Sequence, residues 1–411
     1  MPEFLDLTPP REALTLFLEQ LPVRLDAESI PAEQALGRVT AEDLTAPHPL
    51  PDFRRSTVDG YAVRAGDTHG ASEALPAYLD LVGEVEMGAR PDFQVGEAQC
   101  AVIHTGGMIP AGGDAVVMIE ETQRAGGQQV EIFKPVGVGE HVIEVGEDVA
   151  EGELVIPAGT RVRPAEIGGM MALGIREIRA AVPPRVGIIS SGDEVIPPEQ
   201  HPRPGEVRDI NTYTLSALVE KHGGKAVPYG IIPDNKQAMT EALERASEEC
   251  ALVIVTAGSS ASARDLTAEV MDGLGEPGVL VHGVNFKPGK PTILAVAGET
   301  AMIGLPGNPV SALAIANLFV VPVLQAYLGV EEPRPQPTVP AVLSLNVSSQ
   351  SGREDWVAVR LIEKEDGSRR AEPIFGKSNL IFVLVKADGM FSIPADANGI
   401  SAGEVVEVRL F

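Results

Sequence analysis

A regular alternation of apolar strands and helical segments after residue 184 constrains the fold more than any other feature of this sequence. RVGIISS, AVPYGII and LVIVTA are apolar runs of strand length, and each leads through a polar loop toward a helix-like segment. Such alternation is typical of a mainly parallel sheet with helices packed on its faces. We therefore predict a mainly parallel α/β domain over residues 178–330.

Several polar residues stand where helices are expected to begin. Short polar side chains at these positions accept hydrogen bonds from the first free backbone N–H groups of a helix. Pro309 follows one of them at the first helical position, which its fixed φ suits. We predict N-caps at Thr8, Ser29, Asn211, Asp234 and Asn308.

The remaining segments predict a multidomain α/β chain. Between residues 47 and 146, short Val- and Ile-rich runs alternate with Gly, Pro and Asp, as expected for an inserted β-rich domain. Residues 1–46 and 147–177 then form one α/β linker domain around this insertion. The proline-rich PRPQPTVP begins a segment, 331–411, whose apolar runs predict a small C-terminal β domain.

Charge and composition limit the possible partners and location. The 411 residues carry a net charge of −26, which opposes binding to nucleic acid phosphates and to anionic membranes. No uninterrupted apolar run approaches the ~18 residues of a membrane span. The acidic first residues do not have the pattern of a secretory signal, so we expect none, and we expect no disulfide framework from two cysteines. We expect a cytoplasmic protein that binds neither nucleic acid nor a membrane.

Three polar loops are predicted at the carboxyl ends of parallel strands, where open α/β sheets bind ligands. They are SSGDE, TAGSSASARD and LPGNP, and their small residues allow backbone amides to approach a phosphate. The turn FKPGKP adds Lys287 and Lys290, two cations in an acidic protein. Each feature alone is compatible with an ordinary turn, but together they favour a shared site for an anionic ligand.

Five carboxylates in turns or loops are candidates for a hard cation such as Mg²⁺. They come from separate segments, so their spacing does not show whether they converge. These residues are Asp59, Asp148, Glu194, Asp234 and Asp265.

The order of the motifs resembles the molybdopterin molybdenumtransferase family, which is related to the C-terminal domain of gephyrin. The motifs STVDGYAV, HTGGMIP, VGEDV, SSGDE, VRDIN, FKPGKP and GLPGNPVSA follow one another between Ser56 and Ala312. The resemblance implies an enzyme that uses molybdate, adenylyl-molybdopterin and Mg²⁺, and that releases AMP. It also implies a homodimer with a cleft shared by both chains, and an upstream molybdopterin adenylyltransferase as partner.

Site residues follow from the resemblance by motif. The implied catalytic residues are Asp59, Thr105, Asp148, Glu194 and Asp234, of which Glu194 and Asp234 would also bind the metal. The implied ligand-binding residues are Gly258, Ser259, Ser260, Ser262, Arg264, Asp265, Lys287, Lys290, Pro306, Gly307, Asn308 and Pro309.

One loop departs from the family pattern. Where T-S-G-G-V-S-V-G-[DE]-x-D is usual, this chain has TAGSSASARDL from Thr256 to Leu266, with Arg264 at the acidic position. Arg264 is suited either to pair with a phosphate or oxyanion or to form a salt bridge with a nearby acid. The departure leaves two alternatives to the molybdate-inserting enzyme: a tungstate-preferring transferase and a non-catalytic molybdopterin carrier.

Overall fold

The computed structural model describes residues 7–257 and 261–411, with backbone only for residues 261–264. Its first elements are α1 (Pro10–Glu19), β1 (Ala27–Pro31) and β2 (Leu44–Thr45). The predicted cap at Thr8 is wrong, because α1 starts after Pro9 and the Thr8 N–H donates to Gly283 O at 3.1 Å. The cap at Ser29 is also wrong, because Ser29 lies within β1 and only a 3₁₀ turn follows.

The inserted segment forms a six-stranded, mostly antiparallel sheet in the order β7-β4-β6-β5-β9-β8. Alternating side chains of this sheet, such as Tyr61 and Val63, are buried in its own core. The elements are β3 (Arg55–Ser56), β4 (Gly60–Val63), β5 (Ala77–Glu84), β6 (Gln99–Ile103), β7 (Ala115–Met118), β8 (Thr122–Gly126), β9 (Gln129–Ile132) and β10 (Val142–Ile143).

The chain then returns to the unit that it left. β11 (Leu154–Ile156) pairs with β2, α2 (Pro164–Ala172) follows, and β12 (Glu177–Ala181) pairs antiparallel with β1. Strand pairing therefore extends this unit to Ala181. Helix α1 lies elsewhere: its buried Ala13 and Phe17 belong to the core of the following domain.

Residues 185–327 form the α/β domain expected from the alternating pattern. Its elements are β13 (Arg185–Ser191), β14 (Val195–Ile196), β15 (Val207–Arg208), α3 (Asn211–Lys221), β16 (Lys225–Ile232), α4 (Lys236–Glu249), β17 (Leu252–Ala257), α5 (Ala261–Gly273), β18 (Pro277–His282), β19 (Phe286–Lys287), β20 (Ile293–Ala297), β21 (Thr300–Pro306) and α6 (Pro309–Tyr327).

The central sheet of this domain has the order β16-β13-β17-β21-β20-β18. The first four strands are parallel, and β20 and β18 add an antiparallel edge, so the prediction of a mainly parallel sheet is confirmed. Helices α3 and α6 cover one face together with α1, and α4 and α5 cover the other. The carboxyl ends of β13, β17 and β21 consequently lie side by side.

Two predicted caps are displaced by one residue. Ile210 occupies the N-cap position of α3 and Asn211 is the first helical residue, while Asp209, just before the cap, accepts the Thr212 N–H at Oδ1 at 3.1 Å. Asn235 caps α4 by accepting the Ala238 N–H, and Asp234 instead accepts a bond from Ser191. Asn308 does occupy the N-cap position of α6, with Pro309 next, although its side chain makes no capping bond.

Helix α6 requires a revision of the expectation that no apolar run approaches membrane-spanning length. It contains an 18-residue window with a mean hydropathy of 1.8, which by length and composition would suffice to cross a bilayer. However, 61% of that window is buried inside the protein, and side chains such as Phe319 and Leu324 pack in the α/β core. A helix that is apolar on all sides is buried when it lies in the core of a protein, and α6 is such a core helix.

The C-terminal segment closes into a small barrel. Strands β24, β25, β22, β28 and β26 pair in a ring, because β26 also pairs with β24; closure removes exposed sheet edges. Strand β19 of the α/β domain extends the ring beside β24. The elements are β22 (Thr338–Leu343), β23 (Val347–Ser348), β24 (Glu354–Glu363), β25 (Arg369–Pro373), α7 (Phe382–Val385), β26 (Gly389–Ile393), β27 (Gly399–Ile400) and β28 (Val405–Leu410).

Candidate active site

A cavity of about 290 Å³, the strand-end cavity, lies at the carboxyl ends of the parallel strands. Parallel pairing sets Ser190 of β13 opposite Thr256 of β17, and their hydroxyl oxygens are 3.4 Å apart. The start of α3 and the turn before α6 complete the wall. The lining residues include Ser190, Ser191, Glu194, Arg208, Asp209, Asn211, Thr256, Gly307, Asn308, Pro309 and Asn379.

Two side chains of the VRDIN segment anchor this wall. Asp209 is 7% exposed, and its Oδ1 accepts hydrogen bonds from the Ser190 hydroxyl and from the Thr212 N–H. Asn211 is also 7% exposed and donates from Nδ2 to the Gly307 carbonyl at 2.9 Å. These bonds connect the start of α3 to Ser190 at the end of β13 and to Gly307 in the turn before α6. They fix the relative positions of these three parts of the cavity wall.

The predicted metal ligands Glu194 and Asp234 lie at the edge of the strand-end cavity. Glu194 lines the cavity, and Asp234 accepts a hydrogen bond from Ser191, which also lines it. Asp193 accepts the Asp234 N–H at 3.2 Å and so holds the two loops together. Within the described ranges, no group of three or more acidic, histidine or cysteine side chains is arranged to hold a metal ion.

A second, larger cavity of about 760 Å³ lies between the α/β domain and the C-terminal barrel; we call it the interdomain cavity. Lys287 and Lys290 line it from one side and Lys377 from the other. Trp356 and Phe375 of the barrel provide apolar surface. The cavity therefore combines three cations with aromatic surface in a protein of net charge −26, as an anionic ligand requires.

Lys287 is positioned by contact with the barrel. Parallel pairing of β19 with β24 places Lys287 opposite Asp355, and Nζ lies 3.3 Å from Asp355 Oδ2. Asp355 is buried and also accepts a bond from Arg353 Nε at 2.9 Å. Gly289 adopts a φ of +139°, and a Cβ there would overlap Ile315 of α6, so the turn between the lysines requires glycine.

The LPGNP turn connects the two cavities. Gly307 and Asn308 line both, Pro306 lines the interdomain cavity and Pro309 lines the strand-end cavity. The predicted convergence of SSGDE and LPGNP is thus observed, together with Thr256 of the third loop. An elongated ligand with chemically different ends fits such a two-part cleft.

The structure corrects the extent of the third loop. Strand β17 continues to Ala257 and α5 begins at Ala261, so Ser262, Arg264 and Asp265 belong to a helix and not to a loop. Asp265 is exposed on that helix. Gly258, Ser259 and Ser260 lie outside the described residues, as do the side chains of Ser262 and Arg264, and their predicted roles stay predictions.

Asp59 and Thr105 form a separate exposed pair on the β-rich domain. Asp59 Oδ1 accepts the Thr105 N–H at 2.8 Å and the Thr105 hydroxyl at 3.2 Å. The backbone hydrogen bond from Thr105 lowers the pKa of the Asp59 carboxyl, and His104, at 3.6 Å, adds to this effect. Neither residue lines the strand-end cavity or the interdomain cavity, nor does the exposed Asp148.

Sequence reasoning missed several wall residues. Asp209 and Asn211 lie in VRDIN, a motif that contributed to the family resemblance, so a signal for them was present. Trp356, Lys377 and Asn379 come from the C-terminal domain, where the sequence contains no motif that we connected with a ligand.

Comparisons with known protein families cover most of the chain. Residues 8–174 match the MoeA N-terminal region (domain I and II), and residues 187–326 match a probable molybdopterin binding domain. Residues 340–411 match the MoeA C-terminal region (domain IV). The three matches follow the order of units seen in the fold.

Individual relatives extend over nearly their full length. A putative molybdopterin biosynthesis protein of Methanocaldococcus jannaschii is 34% identical over 98% of both chains. A molybdopterin molybdenumtransferase of Nostoc sp. is 30% identical over 93% of this chain and 88% of its own. The crystal structure of a molybdopterin biosynthesis moeA protein from Pyrococcus horikoshii OT3 is 34% identical, with a TM-score of 0.86 over 99% of this chain and 100% of that one. The resemblance inferred from the motifs is therefore confirmed, and the chain belongs to the MoeA family of molybdopterin biosynthesis proteins.

Proposed function

We propose that this chain is a molybdopterin molybdenumtransferase, which inserts molybdate into adenylyl-molybdopterin and releases AMP. The observation that carries the proposal is the two-part cleft joined by the LPGNP turn. Its interdomain part presents lysines to an anion, and its strand-end part presents hydroxyl, amide and carboxylate groups. The substrate is divided in a comparable way, because its negative charge lies on the phosphoanhydride bridge and a neutral heterocycle, pterin or adenine, lies on either side of that bridge.

The roles of the charged residues follow from where charge develops. Lys287 and Lys290 offset the negative charge of phosphate or molybdate oxygens in the interdomain cavity, as fixed cations do in phosphoryl chemistry. We assign to Glu194, which lines the strand-end cavity, the role of orienting the attacking water. That water cleaves the phosphoanhydride bond, and AMP leaves while the molybdopterin phosphate is retained.

Mg²⁺ belongs to this proposal as a cofactor. Glu194 and Asp234 are the residues that would hold it, and they fit an ion that commonly uses one or two protein carboxylates with substrate phosphates and water. The link from Asp234 through Ser191 to the cavity wall supports that assignment. When bound, the ion supplies positive charge that offsets phosphate charge during cleavage.

We further propose a cytoplasmic homodimer whose active site combines two chains. Asp59 and Thr105 form an ordered, exposed pair on the β-rich domain that lines neither cavity of its own chain. A second copy of the chain would allow this pair to face the cleft of its partner. An upstream molybdopterin adenylyltransferase is the proposed source of the substrate.

The function is tested by measuring AMP release and metal incorporation with purified protein and adenylyl-molybdopterin, with and without Mg²⁺. Molybdate and tungstate are supplied in parallel. We expect release and incorporation with molybdate, and loss of both in Glu194→Ala. Faster turnover with tungstate would replace the assignment by a tungstate-preferring transferase, and tight binding without release would identify a carrier.

A further inference from the structure

Asp209 and Asn211 leave unused acceptors in the wall of the strand-end cavity. Asp209 receives both of its hydrogen bonds at Oδ1, and no described residue donates to its Oδ2. Asn211 Oδ1 is buried and, in the described part of the chain, has no hydrogen-bond partner. Buried polar atoms in native proteins nearly always have a partner, so an unpaired one in a cavity wall points to a ligand.

The hydrogen bond made by Nδ2 determines the orientation of the Asn211 side-chain amide. Nδ2 donates to the Gly307 carbonyl, and a carbonyl accepts but cannot donate, so the nitrogen and oxygen positions cannot be exchanged. The atom without a partner is therefore the oxygen, Oδ1, which can only accept a hydrogen bond. Since Asn211 lines the strand-end cavity, a ligand bound there that carries an N–H or O–H group would supply the missing donor.

Charge distinguishes the two parts of the cleft. Among the described residues, the strand-end cavity is lined by the acids Glu194 and Asp209 and by Arg208, which already donates from Nε to two backbone carbonyls. The interdomain cavity contains Lys287, Lys290 and Lys377. The anionic end of a ligand is thus favoured between the domains, and its donor-bearing end at the strand ends.

We propose that Asp209 and Asn211 recognise the 2-amino-4-oxopyrimidine edge of the pterin; this inference rests on the proposed function. That edge carries adjacent donors, N3–H and the 2-amino group, which match a carboxylate and a neighbouring amide oxygen. Adenine is the competing heterocycle of the same substrate, but its Watson–Crick edge presents one donor beside an acceptor. A volume of about 290 Å³ also suits one bicyclic ring and not the whole substrate.

The test compares two probes that differ only at the recognised edge. They are 6-hydroxymethylpterin phosphate and 6-hydroxymethyllumazine phosphate, in which an oxygen replaces the 2-amino group. Their affinities for the full-length protein are measured by calorimetry. We expect the pterin to bind on the order of 10- to 100-fold more tightly, as loss of a hydrogen bond to a charged group implies.

Asp209→Asn supplies the matched variant. Asn keeps an Oδ1 acceptor for Ser190 and Thr212 but places an NH₂ group against the ligand donors. It should reduce the preference for the pterin toward unity, whereas Asp396→Asn, at an exposed position of the barrel, should preserve it. The comparison of the two probes on the unaltered protein remains decisive if Asp209→Asn does not fold.

Each outcome has a defined meaning. Equal affinities for the two probes, no measurable binding of either, or a preference unaffected by Asp209→Asn in folded protein would overturn the inference. So would displacement of the pterin probe by AMP with an affinity that depends on Asp209, which would place adenine there. A pterin preference in protein that inserts no metal would support the inference and refute the proposed function, so the two failures are distinguishable.

Discussion

Replacing Lys287 and Lys290 by Met separates a structural role from a ligand-binding role. Both side chains line the interdomain cavity. Lys287 also lies 3.3 Å from the buried Asp355, whereas the Lys290 side chain has no hydrogen-bond or ion-pair partner within the described ranges. Met preserves much of the length of the side chain, so each substitution mainly removes the ammonium group.

The magnitudes follow from these contacts. Asp355 keeps its bond to Arg353 when Lys287 is lost, so Lys287→Met should lower the free energy of unfolding by about 1–3 kcal/mol, the cost of leaving part of a buried polar group unsatisfied. Lys290→Met should change it by roughly 0.5 kcal/mol or less, as exposed substitutions usually do. For activity, loss of one bond to a charged ligand should reduce kcat/KM by roughly 10- to 100-fold in both variants.

Stability is measured by urea unfolding followed through Trp356, which is the single tryptophan of the chain and lines the same cavity. Activity is measured as AMP release, with Lys364→Met, an exposed lysine of the barrel, as the control. Equal urea midpoints for Lys287→Met and Lys290→Met would refute the structural role of the Lys287–Asp355 pair. An unchanged kcat/KM in Lys290→Met would refute its contact with the ligand.

Two further predictions concern other parts of the molecule. Mixing refolded Asp59→Asn and Glu194→Ala chains should restore roughly a quarter of wild-type AMP release, because half of the random dimers then contain one intact shared site; no recovery would contradict a site shared between chains. In the second prediction, hydrogen bonding from Arg163, with a further contribution from Arg334, lowers the pKa of Glu166 to about 2. Because this pKa is lower in the folded protein, the ionised Glu166 carboxylate contributes its full stabilisation above about pH 4.5. The contribution is lost as the pH falls through 2. Glu166→Gln should therefore be less stable at neutral pH by roughly 1–2 kcal/mol, after allowance for the exposed arginines, and the deficit measured by urea unfolding should shrink on acidification below 4.5; a deficit independent of pH would contradict the ion-pair explanation.

Much of the architecture was predictable from local patterns. Alternating strand and helix signals after residue 184 predicted the parallel sheet, because period and turn chemistry are properties of short segments. The same reasoning placed SSGDE and LPGNP at one edge of the sheet, since parallel strands end together. Cap residues were predicted less accurately: Ile210 and Asn235 occupy the N-cap positions where Asn211 and Asp234 were expected. Which of several neighbouring residues occupies the N-cap position depends on their backbone dihedral angles, and these angles cannot be read from the amino-acid composition of the segment.

The sequence by itself determined the family, the mainly parallel domain and the lysines of FKPGKP. Only the tertiary structure decided that α1 packs in the α/β core and that Lys287 meets Asp355 across 68 residues of chain. It also decided that the barrel supplies Trp356, Lys377 and Asn379 to the cleft. The physical reason is that strand pairing and domain packing depend on surfaces made by distant segments. A local pattern specifies an element, but the neighbours of that element are selected by the burial and hydrogen bonding of the whole chain.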